Sequence, residues 1–374
     1  MTTTPLHAQD VFTVGDFYYR LNGDGVSATL VCHVDGPAVT GEISIPTTIS
    51  YSGSNYVVTR IGKNAFIGCG KLSGSLIIPH TVTFIGENAF LGCSGLNELE
   101  LGNAVDTIGP AAFYGCTGFT GSLTIPNSVS FMGIGAFYGC TGFTGSLTIG
   151  NALTRIEVGA FNKCKGFSSL TIGNAVNSIG TSAFWGCTGF TGSLTIPNSV
   201  NRIEPNAFRN CRGFTGTLTL GSAVESIGGM AFWNCSGFTE VISLASAPPM
   251  FSFEEVFEGF NCTTLTVSCH CIPAYQNSDW HNYFPTIIED CNDVPELEVE
   301  IATVYPNPTC GTIKIEAEDL QGISIFNLLG EKLFDASANG KSFEYDFSPH
   351  KGGIYFVSIQ TGKGVVTKRV LVKD

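Results

Sequence analysis

The residues of this chain best equipped for chemistry are its fourteen cysteines and six histidines. Cys262, Cys269, Cys271 and Cys291 lie near His270 and His281, where thiolates and imidazoles together would suit zinc. The Cys-His-Cys run lacks the C-x-x-C pairing of a structural zinc site, and a disulfide among these four is the alternative. Eight more cysteines recur at nearly constant intervals: Cys69, Cys93, Cys116, Cys140, Cys164, Cys187, Cys211 and Cys235. One repeated inward position accounts for them, since Cys is a small, readily buried hydrophobe. In-register neighbours one coil apart hold their sulfurs about 5 Å apart, against about 2.05 Å in a bond, so free thiols are expected. Cys32 and Cys310 have no evident partner. The histidines are scattered, and no Ser-His-Asp, HExxH or P-loop arrangement can be read. GIGAFYG at 133–139 only imitates a phosphate loop, because it does not follow a strand. The expectation is a chain with no catalytic residues, no metal site and no cofactor.

What must position these residues is a repeat. Ala-Phe-x-x-Cys begins at Ala65, Ala89, Ala112, Ala136, Ala160, Ala183, Ala207 and Ala231, in steps of 24, 23, 24, 24, 23, 24 and 24. A degenerate ninth copy runs from Val256 to Cys262. Within a unit, SLTIP at 122–126 alternates, so Leu123 and Ile125 point inward as on a half-buried strand. Val129 and Met132 follow, and Ala136, Phe137 and Cys140 carry the spacing of one inward-facing helical turn. The 23-residue steps lose their residue between Cys and strand, in a loop, where length changes cost least. One unit cannot bury its apolar face alone. Stacked units can, each strand pairing with its counterpart about 4.8 Å away, so that like residues form ladders.

Two outward rows are the candidate binding residues. One holds Thr124, Thr148, Thr171, Thr195 and Thr219, beside Ser122, Ser146, Ser169, Ser193 and Thr217. It offers a flat, uncharged array for an extended polymer, and β-propensity alone also explains it. The other follows each repeat Phe: Ile67, Leu91, Tyr114, Tyr138, Asn162, Trp185, Arg209 and Trp233. Outward Tyr, Trp and Arg are types that partner surfaces favour.

Composition agrees. Hydrophobic content of 43% supports a core, while 13% charged residues and 46 glycines suit a turn-rich β protein. The net charge is −13, and residues 240–300 carry eleven acids and no Lys or Arg. Nucleic acid needs a clustered basic face, so it is not an expected partner. No run of about 18 apolar residues marks a transmembrane span. Leu6-His7-Ala8 before Gln9 looks like the tail of a secretory signal, which would make residues 1–8 its remnant.

The order L-x-I-P…V-x-x-I-G-x-x-A-F-x-x-C-x-x-F resembles the BspA-like leucine-rich repeats of bacterial surface proteins, over residues 56–247 with eight repeats. Residues 9–55 look like the N-terminal capping region of such proteins, and 248–297 like their terminating coil followed by an acidic linker. After the linker, about seven short alternating strands indicate a small Ig-like antiparallel β-sandwich. Residues 298–374 resemble the type IX secretion sorting domain of Bacteroidota. The match rests on Tyr305-Pro306-Asn307-Pro308, on Gly353-Ile354-Tyr355, and on a final strand ending at Lys373. Asp106-Thr107-Ile108 resembles the short O-glycosylation motif of the same phylum. The fold class expected is mainly β, a solenoid of 23–24-residue coils with parallel sheet and then the sandwich. The resemblances imply handling by the type IX machinery and an outer-surface or extracellular place. They also imply adhesion to host matrix or plasma proteins or to other cells. A glycan-binding protein using the Ser/Thr and aromatic rows is the alternative.

Overall fold

A computed structural model describes residues 11–253, 255–291, 302–307, 309, 311–328, 331–362 and 364–373. Residues 1–8, most of the acidic linker, Pro308 and Cys310 lie outside the described residues. The chain divides into two compact units, Met1–Asp293 and Val294–Asp374.

The first unit is the solenoid. On one side of each coil, strands pair in parallel with like residues opposite one another: Leu123 with Leu147, Thr124 with Thr148, Ile125 with Ile149. Short strands form a second side, Arg155–Ile156, Ser178–Ile179, Arg202–Ile203 and Ser226–Ile227 among them. The Ala-Phe-x-x-Cys segments form the third. Leu123, Ile125, Val129, Met132, Ala136, Phe137 and Cys140 are all buried, and so are most of their counterparts in other coils, with Leu99, Leu101 and Leu170 partly buried. Repeat phenylalanines stack from Phe66 to Phe257, ring over ring, at 5.0–5.6 Å between centroids.

The third side differs from expectation. Its side chains face inward as their spacing predicts, but the backbone forms tight turns instead of a helical turn. The Phe137 N–H donates to Ala160 O in the next coil (2.8 Å), while Cys140 N–H returns to Phe137 O (3.2 Å). Alternate donors therefore leave the coil, which a helix does not allow. Left-handed residues just before the segment and inside it, Gly135 at φ 62° and Gly139 at φ 72°, also exclude helix.

The strand ladder is not continuous. Ser169–Thr171 ends one sheet and Leu194–Ile196 begins another, and the same break separates Leu96–Glu100 from Leu123–Ile125. At both places a 23-residue step is followed by one of 24. The extra residue shifts the strand entry, and Thr120 N–H and Thr191 N–H bond Asn97 O and Ser168 O just ahead of the strand instead.

Both ends of the stack are covered. The hairpin Val11–Val14 and Phe17–Leu21 with strand Ser27–His33 lays Phe17 edge-on against Phe66, the first of the stacked rings. At the other end, helices Ile272–Gln276 and Trp280–Tyr283 bring Trp280 and Phe284 onto Phe257. Ser243 takes an inward strand position and is satisfied by Tyr275 Oη at 2.7 Å.

The second unit is antiparallel β, with Ile313, Ile315, Ile323, Ile325, Val357 and Ile359 in its core. Five strands are described where the sequence suggests about seven: Ala302–Tyr305, Thr312–Asn327, Lys332–Asp346, Gly353–Thr361 and Gly364–Val372. Thr312–Asn327 and Lys332–Asp346 run unbroken through register shifts around Leu320, where separate strands would be read from the pattern.

Candidate functional site

The row that follows each repeat Phe is built by the turns of the third side. Phe and Cys occupy the inward positions, so the residue between them projects outward. Tyr114 is 40% exposed, and Tyr138, Trp185, Arg209 and Trp233 are half-buried. Asn162 breaks the row: it is buried, and its Oδ1 finds no donor among the described residues.

The coil repeat stacks these residues on each other. The Tyr114 and Tyr138 rings are parallel within 1°, with centroids 4.6 Å apart. Lys163 Nζ lies 5.6 Å from the centre of the Tyr138 ring. The Arg209 guanidinium sits between two indoles, 5.4 Å from Trp185 and 4.6 Å from Trp233. Arg209 Nη1 also donates to Asn206 Oδ1 at 3.1 Å. Cation–π contacts of this kind hold a guanidinium in place without neutralising it. Ring faces in this row are thus largely occupied by neighbours, and what the row presents to solvent is ring edges and cationic heads. Sequence spacing placed these residues outward; that their faces are spent on one another needs the coil-to-coil distances.

The strand side carries the hydroxyl rows. Thr124, Thr171 and Thr195 are exposed, Thr148 and Thr219 half-buried, with Ser122, Ser169 and Ser193 exposed beside them. The ladder is split between Thr171 and Thr195, as the strands are. Bordering it is a row that sequence reasoning passed over. Asn127 and Asn151 accept, through Oδ1, the N–H of Asn151 and Asn174 at 2.8 and 2.9 Å. Asn198 does the same for Ser222. The Asn after Pro or Gly in five successive coils, Asn103, Asn127, Asn151, Asn174 and Asn198, is the signal that could have revealed it. Together, Thr124, Thr148 and Thr171 with Asn127, Asn151 and Asn174 line a shallow groove. Asp106, by contrast, is exposed and holds Thr107 Oγ1 at 2.9 Å and Ser130 Oγ at 2.6 Å, which keeps its carboxyl below the usual range.

In the C-terminal unit Asn307 has a definite task. Its Nδ2 donates to Arg369 O at 2.6 Å, and its Oδ1 accepts from Leu371 N–H at 3.0 Å. The side-chain amide thereby stands in for a strand residue against the last strand, and Thr309 O extends the contact by accepting Lys373 N–H at 2.8 Å. Tyr305 is exposed and joined to Pro306 by a cis peptide. Gly353 and Ile354 open the fourth strand, and the mostly buried Tyr355 donates to Lys351 O at 2.7 Å. Sequence analysis brought these residues together by resemblance; the structure shows that they meet around the chain's final strand.

The cysteines separate cleanly. Cys269 and Cys291 are disulfide-bonded, while all eight repeat cysteines are free and buried. The bond uses the Cys269 sulfur, so the cluster of Cys269, His270 and Glu289 has no thiolate for a metal. Each ladder thiol from Cys93 onward donates to the carbonyl of the Phe one coil earlier, as Cys140 Sγ does to Phe113 O at 3.0 Å.

The BspA-type leucine-rich repeat region model matches residues 59–191 and 188–268 in six copies, more than half of the chain. The chain belongs to the BspA-type leucine-rich repeat family. This BspA-type protein also matches, over residues 303–373, the secretion system C-terminal sorting domain. The repeat is that of surface proteins, and the sorting domain marks type IX secretion to the cell surface. Both families are non-enzymatic kinds of protein. Among solved structures, the BspA-type chain is similar to a leucine rich cell surface protein from Faecalibacterium prausnitzii A2-165. The identity is 21% and the TM-score 0.49, over 76% of this chain and 96% of that one. It is also similar to a leucine-rich repeat protein from Bacteroides ovatus (23%, TM-score 0.34, 69% and 84% covered). A third similarity is to the T. pallidum leucine rich repeat protein (24%, TM-score 0.41, 59% and 86% covered). No curated protein matches the sequence significantly. Among the described residues no helix is long and apolar enough to cross a membrane.

Proposed function

We propose that this surface protein is an adhesin, and that its ligand lies along the row Tyr114, Tyr138, Trp185, Arg209 and Trp233. The ligand class is host matrix or plasma protein, or the surface of another cell. The observation that supports this is the stacking itself: on either side of the buried Asn162, Tyr114 lies on Tyr138 and Arg209 is held between Trp185 and Trp233. A binding surface ordered in advance loses little side-chain entropy on association. The inner Phe ladder and the strand sides bear the fold, so the outward row is free to serve recognition.

The test replaces Tyr138, Trp185 and Trp233 together by Ser in the full chain. Binding to immobilised matrix and plasma proteins and to whole cells is then measured beside the melting curve. Loss of binding with a retained cooperative transition is the expected result. Undiminished binding by the folded triple variant would remove this row. A second reading, a glycan bound on the strand side, is favoured by the groove of Thr124, Thr148 and Thr171 with its asparagine border. A glycan array run with Thr124→Ala and Thr148→Ala variants separates it from the first.

A further inference from the structure

Cations in the solenoid fall into two groups. Lys63, Arg155 and Arg202 each face a carboxylate, on Glu87, Glu157 and Glu204. Arg20, Arg60 and Lys71 toward the N-terminal end face none among the described residues, and neither do Lys163, Lys165, Arg209 and Arg212. The last four are gathered on the Ala-Phe-x-x-Cys turns of the fifth and seventh repeats, on either side of Trp185. They form a positive ridge on a protein whose net charge is −13.

Lys163 is placed there at some cost. It has φ 61° in a column where five of the eight repeats use glycine, at Gly68, Gly92, Gly115, Gly139 and Gly186, and two use Asn210 and Asn234. Left-handed backbone disfavours a lysine, and strain of this kind concentrates at functional positions.

The rest of the ridge offers donors. Neither the indole N–H of Trp185 and Trp233 nor the hydroxyls of Tyr114 and Tyr138 find a partner among the described residues. With the Tyr, Trp and Arg faces stacked on each other, the row turns ring edges, N–H and O–H donors and cationic heads to solvent. Guanidinium and ammonium groups on the fifth and seventh repeats, two coils or about 10 Å apart along the axis, suit anionic groups spaced along an extended chain.

We propose that the ridge of Lys163, Lys165, Arg209 and Arg212 with Tyr138, Trp185 and Trp233 binds a sulfated polysaccharide chain. This rests on the outward row being the recognition surface and names what that surface recognises.

The experiment measures binding of the full chain to immobilised heparin, to fully desulfated heparin and to poly-L-glutamate, at low and raised salt. Lys163→Gly and the double variant Lys163→Gly/Arg212→Gln are measured alongside. Expected are binding to heparin that weakens with salt, none to the desulfated chain, and a loss of about tenfold or more in the double variant. Lys163→Gly keeps or raises the melting temperature, because glycine relaxes the left-handed position. No binding to heparin at low salt, equal binding to its desulfated form, an undiminished double variant, or binding to polyglutamate alone would each overturn the proposal. Matrix-protein binding that is lost in the Tyr138, Trp185 and Trp233 variant yet indifferent to the double variant would sink this inference and leave the adhesin reading intact.

Discussion

At the scale of single residues, the cysteine ladder shows why this position holds Cys and not another small apolar residue. From Phe66 to Phe208 each repeat Phe carbonyl accepts twice: from the Cys N–H of its own coil and from the thiol of the next, as Phe113 O does from Cys116 N and Cys140 Sγ. A buried carbonyl left short of donors is costly, and Ala at this position would offer none. Burial pushes the Cys116 and Cys164 thiols up to about 12 and raises Cys93, Cys140, Cys187 and Cys211 as well. Such a thiol stays protonated in the solenoid but ionises in the unfolded chain once pH passes the ordinary value of 9.0. Above that value the folded state therefore binds more protons, and the stability these groups contribute is full below about pH 9 and declines toward pH 12. Urea unfolding under reducing conditions is expected to show a constant midpoint from about pH 7 to 8.5 and a steep fall beyond it. Cys140→Ala should flatten part of that fall and cost about 1–2 kcal/mol at neutral pH. A midpoint that stays level to pH 11 would contradict the ladder.

At the scale of the element, the Gly-Phe that follows each Cys from Cys116 to Cys235 is where coils approach most closely. A Cβ on Gly166 would stand 2.0 Å from Phe143 O, and one on Gly142 would stand 2.3 Å from Thr117 O. The obstacle is backbone of the previous coil, which cannot swing aside. Gly166→Ala is expected to lose about 2–3 kcal/mol, read as a lowered denaturant midpoint, whereas Gly192→Ala meets no atom and suffers only its left-handed φ of 71°. The recurrence of Gly-Phe is plain in the sequence, but its reason is the distance between coils. The same limit explains the misread helical turn. Ala136, Phe137 and Cys140 have the right spacing for one face of a helix, and the face is indeed buried. Their N–H groups, however, find acceptors a coil away that local spacing does not reveal.

For each unit as a whole, the open ends of the stack decide whether the solenoid is soluble. Tyr275, Trp280 and Phe284 close the C-terminal end, with Trp280 Nε1 donating to Pro249 O at 2.8 Å and Cys269–Cys291 closing the terminal coil. A chain ending at residue 247 would bare Phe232 and Phe238. It is expected to aggregate and bind hydrophobic dyes, while one ending at residue 293 unfolds cooperatively as a monomer. Size-exclusion chromatography with thermal unfolding distinguishes the two; a soluble, cooperative 1–247 fragment would show that the terminal coil is dispensable.

The sequence by itself determined the period, the inward residues, the solenoid and the sorting unit. Repetition writes burial directly into residue type, because each side chain's chief neighbour is its own copy. The tertiary structure alone decided which outward groups spend their faces on each other, which cations lack a carboxylate, where the strand ladder breaks and which two cysteines join. Those outcomes depend on distances and approach angles between segments far apart in the chain, and a periodic pattern carries no record of them.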